Sequence, residues 1–142
     1  MREILFKGKK KDNGEWVEGY LFDDGMLGEK RMFIGKLVIA PYEGHIRGKW
    51  TVIANGFDEV DPETICQFTG LCDRNGNRIW ENDIIQHEDI AVPVRFGIYD
   101  SGYGFYADFP RETYLREELG YWRSKTIVAG NIFDNPELAK EG

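Results

Sequence analysis

The sequence predicts a mostly β protein, a barrel or sandwich of short strands with one short helix. Three observations predict it. Aromatic residues make up 14% of the chain and 17 of its 142 residues are glycine; rings and β-branched side chains suit a pleated, half-buried surface, and glycine supplies tight turns. Several segments alternate apolar and polar residues with a period of two. Asn-Gly, the strongest short hairpin signal, stands at Asn13-Gly14, Asn55-Gly56 and Asn75-Gly76.

Residues 3–8 read as a first strand. A lysine-rich turn ending in Asn13-Gly14 follows, then a strand over 15–22 with Trp16, Glu18, Tyr20 and Phe22 on one face. Loop residues lead to an apolar strand over 31–40, closed by Pro41. Trp50 opens a strand over 50–54 that stops at Asn55-Gly56. Asp61-Pro62-Glu63 is a helix start, a capping Asp with Pro in the first turn, and one turn fits. Asn75-Gly76 then separates two further strands, the second over 78–86. Residues 91–98 alternate cleanly, and Pro93 places that strand at an edge or a bulge. Residues 102–107 form a glycine-aromatic strand. Residues 110–119 are the best helix, with Gly120 as its stop. A last strand covers 126–133, and Asn135-Pro136 opens a final helical turn. The two helix-start signals close two halves, 1–60 and 61–142, each a β subdomain.

Composition narrows the function classes. The net charge of −7 removes the long-range attraction that nucleic-acid binders draw from Lys and Arg. Cys66 and Cys72, five residues between them, give no disulfide framework and no zinc spacing, so reduced thiols are expected. The apolar run Ile4-Leu5-Phe6 is too short for a signal peptide, and no run approaches a membrane span. The expected compartment is the cytoplasm, with no membrane partner.

Four stretches resemble the YopX family of phage and prophage proteins. They are the opening Met1-Arg2-Glu3-Ile4-Leu5-Phe6-Lys7-Gly8-Lys9 with Asp12-Asn13-Gly14-Glu15-Trp16-Val17-Glu18-Gly19, and the central Val60-Asp61-Pro62-Glu63-Thr64-Ile65 with Gln67-Phe68-Thr69-Gly70-Leu71 and Asp73-Arg74-Asn75-Gly76. Ile79-Trp80-Glu81-Asn82-Asp83-Ile84-Ile85 and the ending Gly130-Asn131-Ile132-Phe133-Asp134-Asn135-Pro136-Glu137-Leu138 complete the set, in the right order along the chain. Asn82 stands where the family more often has glycine, and asparagine tolerates the same left-handed backbone. The resemblance implies a phage-derived protein in a bacterial host, an SH3-like barrel in the C-terminal half, and homo-oligomers. It carries over no catalytic residue.

Candidate chemistry is sparse. His87 beside Glu88 and Asp89 suggests a metal site, but neighbouring strand residues point to opposite faces and no third histidine follows after His45 and His87. Asp83, Glu81 and Glu88 could pair for acid-base work, yet an Asp at the start of a strand ordinarily accepts backbone N–H groups. Ser101 lacks the glycine of a nucleophile elbow, since residue 99 is Tyr. Lys7, Lys9, Lys10 and Lys11 resemble a phosphate-binding patch or a solvated hairpin end. Tyr103, Phe105 and Tyr106 either stack on bases or a peptide or fill the core.

The leading expectation is a non-catalytic accessory protein without cofactor or metal, acting by homo-oligomerisation and by contact with an unidentified phage or host protein. Four tryptophans, Trp16, Trp50, Trp80 and Trp122, exceed what one small core must bury, which favours an interface. The alternative is a nucleic-acid-binding module using the lysine hairpin and residues 102–106. A small hydrolase around Asp83 stands last.

Overall fold

A computed structural model describes residues 3–42, 44, 47–99, 102–110 and 116–139. The chain divides into two compact units, Ile4–Ile65 and Cys66–Gly142, the latter joined by the opening Met1–Glu3. The division falls after Ile65 rather than after residue 60. The reason is local: the Asp61 N–H donates to the Lys9 carbonyl at 2.9 Å, and the Lys9 N–H donates to Thr64 Oγ1 at 2.9 Å. Residues 61–65 therefore complete the first unit.

The first unit is an antiparallel meander. Strands β1 (Phe6–Lys9) and β2 (Trp16–Asp23) form the expected hairpin, with Lys9 opposite Trp16. Asn13 Oδ1 accepts the Glu15 N–H inside the turn. Strands β3 (Met32–Pro41) and β4 (Trp50–Val60) follow. Here Asn55-Gly56 does not end a strand. It is a bulge inside β4: Phe57 pairs with Gly35 and Ala54 with Leu37, so two residues of β4 face one of β3. Gly56 holds φ +102°, which glycine adopts without penalty. The sheet curls until Lys10 bridges Val60. Ile34 and Val60 are enclosed on the inner side. A 3-10 turn, Pro62–Thr64, follows as read, with Asp61 Oδ1 accepting the Glu63 N–H.

In the second unit, β5 (Cys66–Cys72) and β6 (Arg78–Trp80) pair across the Asn75-Gly76 turn. The expected strand over 78–86 splits, because Glu81-Asn82 turns the chain into β7 (Asp83–His87), with Asn82 at φ +69°. The segment 91–98 splits too. β8 (Ile90–Pro93) is the edge of the sheet β11-β7-β8, and β9 (Arg95–Tyr99) pairs instead with β10 (Gly102–Tyr106). Val94 is the hinge; its N–H donates to the Asp83 carbonyl and its carbonyl accepts the Asn82 N–H. β11 (Ile127–Asn131) closes that sheet.

Of the helix expected over 110–119, residues 111–115 lie outside the described ones; Pro110 and residues 116–118 are not helical, and Leu119 is. The backbone of 117–118 is taken by pairing, since the Ala107 N–H donates to the Glu117 carbonyl and Tyr106 bridges Glu118. The one α-helix among the described residues, α1 (Leu119–Trp122), begins where the expected one should end and contains Gly120. Its drive is burial of Leu119 and Trp122, three apart on one face. They join Ile79, Ile85, Val92, Val94, Ala107 and Phe109 in a core. Burying each large apolar side chain contributes about 2 kcal/mol.

Candidate functional site

The lysine cluster is in place but engaged. Lys7 and Lys9 lie on β1 with their Nζ atoms 4.7 and 5.4 Å from the centre of the Trp16 ring, cation over π face. Lys10 and Lys11 meet Asp58 at 3.9 Å and Glu59 at 3.3 Å. Glu59 also receives a two-pronged bond from Arg31, at 2.7 and 3.1 Å. The Arg31 hydrogen bonds, with help from Lys11, hold the Glu59 carboxyl down to about 2.

On the same sheet, opposed and alternate residues share a face. The register therefore sets Tyr20, Phe22, Phe33 and Phe57 together, and Ile39, Val52 and Trp50 beyond the bulge. A β-carbon at position 35 would strike the Phe57 ring, so Gly35 lets that ring lie across the sheet and reach Phe22, 5.2 Å between centroids. Tyr20, Ile39, Val52 and Trp50 are exposed, Trp50 by 65%. Alternation had placed Tyr20 and Phe22 together; the continuation across β3 and β4 was hidden by the bulge.

In the second unit the three aromatic candidates part company. β9 and β10 pair Phe96 with Phe105 and Ile98 with Tyr103 on one face. Tyr103 is exposed, as is Ile98 by 82%, while Phe105 packs partly against the core. Tyr106 lies on the other face against Tyr99, 5.5 Å apart. Asp100 and Ser101 lie outside the described residues, as does His45.

Two of the three acidic candidates, Glu81 and Asp83, are anchors; Glu81 Oε1 accepts the Gln67 N–H at 3.2 Å. Asp83 is buried and its Oδ2 accepts the Trp80 N–H at 2.8 Å. Asp73, which sequence reading passed over as loop, is the stronger hub. Its Oδ1 accepts the Asn75 and Asn77 N–H groups, and its Oδ2 accepts that of Val128, all at 2.8 to 2.9 Å. Burial pushes this carboxyl up, but the backbone donors of Val128, Asn77 and Asn75 outweigh it and leave it below the usual range. Glu88 is exposed, and its backbone carbonyl accepts the Gln86 side-chain amide. Among the described residues no group of three His, Cys, Asp or Glu is placed to hold a metal. Cys66 is buried and Cys72 half-buried, and the two are not joined in a disulfide. No helix among the described residues is long and apolar enough to cross a membrane.

Fold and surface together define an antiparallel β protein of two units, anchored by buried carboxylates and carrying exposed apolar sheet faces. The family model described as YopX protein matches residues 5–140, and the chain belongs to that family. Among solved structures it is similar to the crystal structure of protein EF1440 from Enterococcus faecalis, at 21% identity and a TM-score of 0.59, over 99% of this chain and 100% of that one. That likeness speaks for the fold. No curated protein matches the chain.

Proposed function

We propose that this is a non-catalytic accessory protein of prophage origin that works by self-association, through the outer face of its Ile4–Ile65 unit. One observation carries the reading: Tyr20, Phe22, Phe57, Ile39, Val52 and Trp50 stand exposed on one face of β2, β3 and β4. Contiguous apolar surface of this kind marks an interaction site.

Two features favour a second copy of the chain as the occupant. The ribbon beyond the bulge pairs Leu37 to Pro41 only with Ala54 to Trp50 among the described residues, and two strands alone are marginal in water. Of the carboxylates on this face, Glu59 is held by Arg31 and Lys11, and Glu18 stands opposite Lys7 of β1. A symmetric contact, which sets a face against itself, then meets little like-charge repulsion. Nucleic-acid binding has less support, because Lys10 and Lys11 are held by Asp58 and Glu59 and the net charge of −7 opposes phosphate.

Sedimentation equilibrium at micromolar concentration tests the proposal. The expected mass is a multiple of the single chain, and Trp50→Lys, which disturbs no buried side chain, should shift it to the single-chain value. A wild-type mass equal to one chain at all concentrations would overturn it.

A further inference from the structure

The second unit holds a cavity of about 480 Å³ lined by residues from three separate segments. Arg74 comes from the β5–β6 turn, Gln86, His87 and Glu88 from the end of β7 and its loop, and Ser124, Lys125 and Ile127 from the 3-10 turn Arg123–Lys125 and the start of β11. The volume lies within the range of small-ligand sites. The geometry points to a binding site for a small phosphate ester here.

The walls are fixed to one another before any ligand arrives. The Arg74 N–H donates to the Thr126 carbonyl at 3.0 Å, which ties the β5–β6 turn to the Ser124–Lys125 wall. Gln86 pairs with Ile127 across β7 and β11 and forms the floor. His87 Nδ1 lies 3.2 Å from the Lys125 carbonyl. A carbonyl oxygen only accepts, so this contact puts the proton on Nδ1 and leaves Nε2 as the ring's remaining polar atom. The Trp122 and Phe109 rings, at 5.4 and 6.1 Å, hold the imidazole edge-on.

The charge is unusual for this chain. Among the described residues neither the Arg74 guanidinium nor the Lys125 ammonium meets a carboxylate, although Arg31, Arg78 and Arg116 all do. Lys125 rests on the Tyr121 ring at 4.6 Å, which orders the side chain without cancelling its charge. Two cations and a serine hydroxyl line the cavity, a donor set suited to phosphate oxygens, and the imidazole Nε2 beside them is an acceptor for a hydroxyl of the ester. One group opposes it, the Glu88 carboxylate on the rim.

The backbone at Glu88 supplies an independent sign. His87 pairs with Ile90, so Glu88-Asp89 is a two-residue hairpin loop. Its first residue holds φ +55°, where such loops ordinarily place glycine. Strain of this kind concentrates at ligand sites. A carboxylate there tunes the site toward singly or doubly charged esters and against polyphosphates.

Amide chemical shifts and calorimetry on the full chain, at constant ionic strength made up with chloride, test the site. The probes are inorganic phosphate, glycerol 3-phosphate and a nucleoside monophosphate. Saturable shifts at His87, Ser124 and Lys125 are expected, with Kd of about 1 mM or below for at least one ester. Arg74→Gln and Lys125→Met should each weaken binding about tenfold at an unchanged melting temperature, and Glu88→Gln should tighten it about threefold. If Arg74→Gln fails to fold, Lys125→Met decides. No saturation by about 20 mM phosphate, binding unaltered in the folded cation variants, or weaker binding in Glu88→Gln would each overturn the assignment.

Discussion

In the Cys66–Gly142 unit, Ile79, Ile85, Val94, Leu119 and Trp122 are buried about one centre. In the Ile4–Ile65 unit, Ile34 and Val60 are the apolar side chains fully enclosed among the described residues, while Ile39, Trp50 and Val52 stand in the open. Both are built from antiparallel strands of similar composition. The second turns Phe109 and Trp122 inward, with a helical turn and strands of more than one sheet to receive them, and leaves Ile98 and Tyr103 open on the β9-β10 ribbon; the first has a curled meander whose inner side encloses Ile34 and Val60. Strand content alone therefore does not set self-sufficiency. What matters is whether a second layer exists to cover each face.

The largest expected effect tests the closed core. Trp122→Ala should cost about 3–5 kcal/mol in urea unfolding, whereas Trp50→Ala should stay within about 0.5 kcal/mol in the dissociated chain. Equal costs would abolish the contrast between the units. Next comes Asp73. Asp73→Ala strands three backbone donors that one carboxylate satisfied, at a cost of about 3 kcal/mol. Its folded pKa lies below the ordinary value, so its contribution is present above the unfolded carboxyl pKa of about 3.9 and is lost as pH falls below it. The wild-type melting temperature should drop on acidification through this range, and that of Asp73→Asn should drop less. The smallest effect concerns a single turn. At φ +69°, Asn82→Ala should cost about 1 kcal/mol and Asn82→Gly almost nothing; equal losses would assign the role to the Asn82 amide, which donates to Cys66 Sγ.

The turns that the sequence made legible are those whose signal is local. Asn13-Gly14 and Asn75-Gly76 connect strands because the residues on either side pair with each other. Asn55-Gly56 carries the same dipeptide, but its neighbours pair with β3, some twenty residues earlier, and no local pattern reports that. The C-terminal boundary of the helix was missed for a similar reason: charge and a trailing Gly120 suggested a stop at 119, whereas burial of Leu119 and Trp122 places a helical turn over Leu119–Trp122. Glu88 gave no sign of a left-handed turn, since glutamate is rare there. The lysine run could be read directly, yet its partners Asp58 and Glu59 lie at the far end of the unit. The Arg74, His87 and Lys125 cavity is assembled from three distant segments, each bland by itself.

The bulge in β4 also shifts phase. Before it, Glu59 and Phe57 stand opposite Phe33 and Gly35; after it, Ala54, Val52 and Trp50 stand opposite Leu37, Ile39 and Pro41. Odd positions of β4 give way to even ones while β3 keeps its own count. The strand thus carries a one-residue frame shift, absorbed by Gly56. Loss of one bulge residue would leave every flanking side chain on its present face and would only restore a regular ladder. A deletion that scrambles most strands is, at this one point, silent in the pattern of faces and legible only in the bend.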